Sequence, residues 1–152
     1  MTIPDHVGSV MTQDLTIAAR LPDWRPRLSA YLAAAGARTF RPGLHDCALF
    51  AAGAVQAMTG SDAAAAWRGT YSSLEEGQRA LQLAGFSDHV ALVAAYLHEV
   101  NPAHASVGDL AALPGADGRP ALGIVQGASV YVLQPSGMSL VNRLQMKRAF
   151  RV

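Results

Sequence analysis

Apolar residues recur at helical spacing through the first two thirds of the chain. The recurrence begins at Trp24, and segment 46–59 is apolar nearly all round, which is typical of a helix buried on every side. A capping box at Ser73 predicts another helix, and Ser87 or Asp88 is a suitable cap for a last one that runs through AYLHEV. The pattern therefore predicts four helices, over residues 24–36, 46–59, 73–85 and from 87 or 88 to the stop before Pro102.

Beyond Pro102 the pattern changes to short runs typical of strands, namely ALGIVQ, SVYVLQ and SLVNRL, preceded by a short run that opens at Gly108-Asp109-Leu110. Gly127-Ala128 lies between the first two of these and suits a two-residue type II′ hairpin, so at least part of the sheet is antiparallel. Helices followed by antiparallel strands define an α+β domain, with the central buried helix packed on the sheet.

The chain has the length of one domain. Residues 23–152 carry the helix and strand patterns, whereas residues 1–22 lack clear periodicity and are interpreted as an N-terminal arm. The arm contains acidic residues and no continuous apolar stretch, so no signal peptide is expected, and no apolar run is long enough to cross a bilayer. We therefore expect synthesis in the cytoplasm and no membrane partner.

The composition indicates a protein that docks on others. The sequence is 51% hydrophobic and only 15% charged, which is poor in charge for a free-standing soluble protein. A formal net charge of +1 provides no general field for nucleic acid, and the basic residues near the C-terminus are interpreted as a solvated strand face. Its single cysteine cannot form an internal disulfide or the paired thiolates of a zinc finger, and no metal or cofactor is expected.

That cysteine, Cys47, falls in the first turn of the central helix, with Asp46 as the N-cap. Unpaired backbone amides and the helix dipole favour an anion there, and a thiolate at such a position beside a histidine is a papain-like nucleophile. The alternative is that Cys47 is a small buried apolar residue, as most free cysteines are. The cap alone also accounts for Asp46.

Three short motifs carry a resemblance to a known family. His45-Asp46-Cys47 at a helix start, Gly108-Asp109-Leu110 at a strand start and Ala121-Leu122-Gly123-Ile124 on a strand are similar to the NlpC-type cell-wall peptidases, a compact branch of the papain-like cysteine peptidases. The resemblance implies a papain-like fold and places a catalytic histidine on the third motif. This chain has Ala121 at that position.

A closer resemblance is to a group of short proteins encoded in phages, prophages and gene transfer agents, regarded as relatives of those peptidases. It covers residues 23–152 and is carried, besides the Gly-Leu-His-Asp-Cys approach, by segments 58–62, 68–71 and 149–152. The resemblance implies a virion component of the tail tip, with other tail-tip proteins as partners and peptidoglycan as a further target.

Several other residues are candidate partners of Cys47. His45 and His104 are the histidines considered as a base, while the other reading of His45 is that it packs the loop entering the helix. Asp46, Arg68 and Tyr71 are the residues expected near substrate if a groove exists; otherwise the loop that contains Arg68 and Tyr71 covers the core, and Asp46 is only the helix cap. His89 and His98, at the two ends of the fourth predicted helix, are interpreted as structural or exposed.

Two functions follow from these expectations. Because Ala121 replaces the histidine that takes the thiol proton, we expect a structural or adaptor module of the tail tip with a degenerate catalytic site. The alternative is an active peptidoglycan endopeptidase that uses Cys47 as the nucleophile during genome delivery.

Overall fold

The computed structural model describes residues 16–115 and 118–152, and these residues form four α-helices and a six-stranded antiparallel sheet. The expected α+β class is therefore confirmed. Two short 3-10 helices, Pro102–His104 and Arg143–Gln145, lie between strands. The helices are α1 (Trp24–Gly36), α2 (Cys47–Thr59), α3 (Leu74–Leu83) and α4 (His89–Tyr96).

The central helix α2 begins and ends where the sequence predicts. Oδ1 of Asp46 accepts a hydrogen bond of 3.0 Å from the Leu49 amide, which satisfies an N-terminal donor of the helix. Gly60 ends α2 with a φ of 81°, a left-handed conformation that glycine adopts at low cost. Asp23, the residue before α1, makes no capping hydrogen bond and instead pairs with Arg27 at 2.8 Å.

The sheet lies in the second half of the chain, in the order β1-β6-β2-β3-β4-β5 with every neighbouring pair antiparallel. Gly127 and Ala128 connect β3 to β4, as the hairpin prediction required. The strands are β1 (His98–Val100), β2 (Leu110–Pro114), β3 (Pro120–Gln126), β4 (Ser129–Gln134), β5 (Gly137–Asn142) and β6 (Arg148–Arg151).

The main core lies between α2 and the sheet. Phe50 and Met58 of α2 are fully buried in one cluster with Leu122, Ile124 and Leu133 of β3 and β4. The strands alternate, so Val125, Val130 and Val132 belong to a second apolar cluster. The packing of α2 on β3 and β4 fixes the start of α2 relative to those strands.

One predicted element is wrong. The fourth helix does not continue through AYLHEV: it ends at Tyr96, Leu97 is extended, and His98–Val100 form edge strand β1. Pairing with β6 gives this short segment the backbone hydrogen bonds that a helix would otherwise provide, and Glu99 reaches Arg148 of β6 at 2.8 Å. His98 is thus an exposed strand residue rather than the end of a helix.

Part of the segment interpreted as an arm contacts the domain. The Leu21 amide donates to the Met58 carbonyl at 2.8 Å, and the Ala18 amide donates to Ser61 Oγ at 3.0 Å. Arg20 donates to the carbonyls of Val107 and Val152. Residues 1–15 lie outside the described residues.

Within the described part of the chain, no helix has the length and apolar character that crossing a bilayer requires.

Candidate functional site

Cys47 is the first residue of α2, and its side chain is partly exposed rather than enclosed in the core. Phe50 donates the first intrahelical hydrogen bond, to the Asp46 carbonyl at 2.8 Å, and the Leu49 amide is held by the Asp46 carboxylate. The sulfur therefore lies at the positive end of a thirteen-residue helix, where a negative charge is favoured.

The structure places His89 beside this thiol. His89 Nε2 lies 4.0 Å from Cys47 Sγ, and the ring is half-buried. His89 is the first residue of α4, where the N-cap Asp88 accepts a hydrogen bond of 2.8 Å from the Ala91 amide. Since a catalytic hydrogen bond is often long before substrate binds, 4.0 Å is compatible with proton transfer between the two side chains.

Asp46 organises the loop and the helix start. Its Oδ2 accepts hydrogen bonds from the Gly43 amide at 2.9 Å and from the Tyr71 hydroxyl at 2.5 Å, while Oδ1 caps α2. Burial, and then the hydrogen bond to Asp46, raise the pKa of Tyr71 well above its ordinary value, so the hydroxyl stays protonated and donates. Asp46 and Tyr71 thus hold the backbone around Cys47 in place.

His45 lies in the core. It is 2% exposed, its Nε2 is 3.0 Å from the Ala35 carbonyl oxygen, and its ring meets Phe50 edge to face. Burial lowers the pKa of His45, although the hydrogen bond to Ala35 opposes that shift. The neutral imidazole donates to this carbonyl. This corresponds to the alternative in which His45 packs the loop that enters the helix.

Two other expected residues lie elsewhere. His104 is exposed at the end of the first 3-10 helix, and its carbonyl accepts from Arg151 at 3.1 Å. Arg68 forms an ion pair of 3.0 Å with Asp62. Neither of these residues, nor His45, lines the pocket that contains Cys47.

That pocket has a volume of about 420 Å³ and lies among α2, α3, α4 and the ends of β3 and β4. Cys47, His89, Tyr71 and Ala121 all line it. The position at which the resemblance expects a catalytic histidine thus faces the same pocket as the thiol, but there it carries only a methyl group. The imidazole in the pocket comes instead from α4.

His89 was interpreted from the sequence as structural or exposed and was not predicted as a partner of Cys47. The two residues are 42 positions apart, so no local spacing connects them. The sequence contains one weak indication that the two residues are related: Asp46-Cys47 and Asp88-His89 are both helix starts capped by an aspartate. Across residues 16–115 and 118–152, no three His, Cys, Asp or Glu side chains converge in a way that could hold a metal ion.

The family model described as a domain of unknown function, DUF6950, matches residues 19–152, and the chain therefore belongs to this family. No curated protein matches the chain.

Proposed function

We propose that this DUF6950 protein is a cysteine-dependent hydrolase in which Cys47 attacks a substrate carbonyl and His89 accepts the thiol proton. The observation that carries the proposal is the 4.0 Å approach of Cys47 Sγ to His89 Nε2 inside a pocket. Thiol and imidazole in contact at a helix start constitute the activated nucleophile of papain-like chemistry.

The start of α2 supplies the electrostatic part of the mechanism. Attack on the carbonyl carbon creates an oxyanion, and the backbone N–H of Ala48 lies at the positive end of the helix, ahead of the first intrahelical hydrogen bond. The imidazolium formed at His89 then protonates the leaving group. Water then attacks the resulting thioester and gives up a proton to His89. The bond between the acyl carbon and Cys47 Sγ breaks, the acid is released, and the proton returns from His89 to Cys47 Sγ.

We further propose a papain-like fold of the NlpC type with an altered histidine position. The support is a buried central helix that begins at a cysteine and packs on an antiparallel sheet. In this proposal the base has moved from the strand position of Ala121 to the start of α4.

The biological setting is proposed from the resemblance alone. It suggests a component of the phage or gene-transfer-agent tail tip, located in the virion, with peptidoglycan cross-linking peptides as the first natural substrate to test. Tail-tip proteins would then be the partners that bring the pocket to the cell wall.

The decisive experiment compares single variants on purified peptidoglycan and on small esters. Cys47→Ala should abolish turnover, and His89→Gln should lower kcat/KM about 100-fold to 10,000-fold, the usual contribution of a positioned acid–base group. His98→Gln is the matched control, because His98 is exposed on β1. Wild-type turnover in His89→Gln would remove His89 from the mechanism, and wild-type turnover in Cys47→Ala would end the proposal.

A second function, a non-catalytic adaptor of the tail tip, is favoured by a different observation. Leu83, Leu140 and Leu144 are large apolar side chains that are 80%, 57% and 87% exposed. Leu140 and Leu144 are four positions apart, on β5 and on the 3-10 helix that follows it, and apolar side chains that adjoin one another on a surface suit docking to other proteins. Under this proposal, particles assembled with Cys47→Ala remain infectious, whereas Leu140→Ser combined with Leu144→Ser removes the protein from purified particles.

A further inference from the structure

We infer that the acyl group which enters the pocket beside Cys47 is apolar, so that the substrate class is an ester, thioester or amide of an apolar acid. This inference rests on the proposed hydrolase function and adds the substrate chemistry to it. It departs from the polar peptide that the resemblance suggests.

The inference rests on the apolar character of the side chains that line the pocket. Apolar side chains line it from every element that surrounds it. They include Leu74 and Leu81 on the α3 side, Leu92 and Tyr96 from α4, and Leu122 and Leu133 from the sheet. A volume of about 420 Å³ falls within the range of roughly 300–1,000 Å³ in which small-molecule sites occur.

The charged groups of the pocket do not match a carboxylate-rich peptide. The Asp46 carboxylate is held by two backbone amides and the Tyr71 hydroxyl. Arg119 is the one lysine or arginine among the described residues that line the pocket. A ligand with several charges would lose its hydration against apolar walls without gaining matching partners, whereas an apolar chain gains free energy on burial.

Hydrolysis of such a substrate proceeds through a thioester at Cys47. Cys47 Sγ forms a bond to the acyl carbon, the bond from that carbon to the leaving oxygen, sulfur or nitrogen breaks, and the leaving group takes the proton held by His89. Water next cleaves the thioester and releases the apolar acid. Throughout both steps the acyl chain lies against the leucine-lined walls.

Labelling of Cys47 tests the pocket without requiring turnover. The probes are N-ethyl-, N-butyl- and N-hexylmaleimide, and Cys47 is the only cysteine in the chain. For the native protein we expect the second-order rate constant to rise with chain length, by at most about fourfold per methylene that becomes fully buried. The urea-unfolded protein should show no such rise. A flat series for the native protein would overturn the inference.

A matched pair of variants locates the effect. Ala52 lines the pocket from α2, whereas Ala95 is exposed on α4 and does not line it. Ala52→Phe should abolish the chain-length dependence while N-ethylmaleimide still reacts, and Ala95→Phe should leave the series unchanged. If both variants keep the wild-type series, the alkyl chain binds elsewhere and the inference is wrong.

Turnover separates this inference from the proposed function. Preference of the wild type for p-nitrophenyl hexanoate over p-nitrophenyl acetate, lost in Ala52→Phe, supports both. Release of peptides from peptidoglycan, with no preference between the two esters, would support the hydrolase and overturn the apolar substrate. No hydrolysis of either ester or of peptidoglycan by the wild type would overturn the hydrolase and the substrate together.

Discussion

A single buried histidine makes the stability of this fold depend on pH. Burial lowers the pKa of His45 below its ordinary value of 6.5, because the charged ring loses its hydration in the core, and the hydrogen bond to the Ala35 carbonyl offsets only part of this shift. Between the lowered folded value and 6.5, the unfolded chain therefore binds more protons than the folded chain. The stability associated with neutral His45 is complete above pH 6.5 and is lost as the pH falls below it.

We predict that the free energy of unfolding decreases between pH 7.5 and 5, with a contribution from His45 of at most about 1.4 kcal/mol per pH unit. Urea titrations at several pH values measure it. His45→Gln should be less stable at pH 7.5 but should show a flatter dependence on pH. The exposed histidine variant His104→Gln should keep the wild-type slope. An equal slope in His45→Gln would show that another group is responsible.

Residue-level prediction succeeded where the cause is local. Asp46 and Cys47 were identified because a cap and the residue after it are adjacent in sequence. The partner of Cys47 could not be identified in this way, since His89 reaches the thiol only after α4 packs near the start of α2. Tyr71 was selected as a groove residue, but its hydrogen bond to Asp46 is likewise a product of folding.

At the scale of elements, the capped helices α2 and α3 differ in what their caps do. Ser73 accepts a hydrogen bond of 3.1 Å from the Glu76 amide at an exposed helix start. Asp46 caps α2 and also accepts from the Gly43 amide and the Tyr71 hydroxyl in a buried setting. Loss of Asp46 therefore leaves buried donors without partners, which costs more than loss of a solvated cap.

We predict that Ser73→Ala lowers the free energy of unfolding by about 1 kcal/mol, the usual cost of a lost cap. Asp46→Ala should cost about 3 kcal/mol or more, because hydrogen bonds to a charged group contribute about 1.5–3 kcal/mol each. Chemical denaturation of the two variants provides the comparison. Equal losses would mean that water replaces Asp46 at Gly43 and Tyr71.

The helices and strands, like the residues, could be predicted where the cause is local in the sequence. The start and the glycine end of α2 were predicted correctly because caps are encoded within a few residues. β1 was missed because His98–Val100 have no strand pattern of their own and are extended only through pairing with β6, about fifty residues later. Short edge strands depend on their partner more than on their composition.

At the scale of the whole molecule, one buried carboxylate connects both ends of the described domain. Asp109, fully buried before β2, accepts from Arg20 at 3.0 Å, from the Ser106 amide at 2.9 Å and from the Val152 amide at 3.1 Å. In the sequence, Asp109 is notable only as a member of the Gly108-Asp109-Leu110 motif at a strand start. The contacts with Arg20 and Val152 span 89 and 43 residues, which no local pattern can predict.

We predict that loss of the Arg20–Asp109 ion pair destabilises the fold more than loss of the exposed Arg148–Glu99 ion pair, which serves as the control. Arg20 and Asp109 are 18% and 1% exposed in their side chains, whereas the ion pair of Arg148 with Glu99 is 43% and 47% exposed. Asp109→Asn removes the negative charge from the buried partner of a part-buried guanidinium, so the free energy of unfolding should fall by about 3 kcal/mol, the lower end of the cost of breaking a fully buried pair. Glu99→Gln should cost less than about 1 kcal/mol, and that small loss should shrink further in 1 M salt because exposed charges are screened.

Thermal and urea unfolding at low and high salt measure both variants. Similar losses in the two variants would mean that the contacts of Asp109 contribute no more to stability than a surface ion pair, and that the domain ends are held by apolar packing instead.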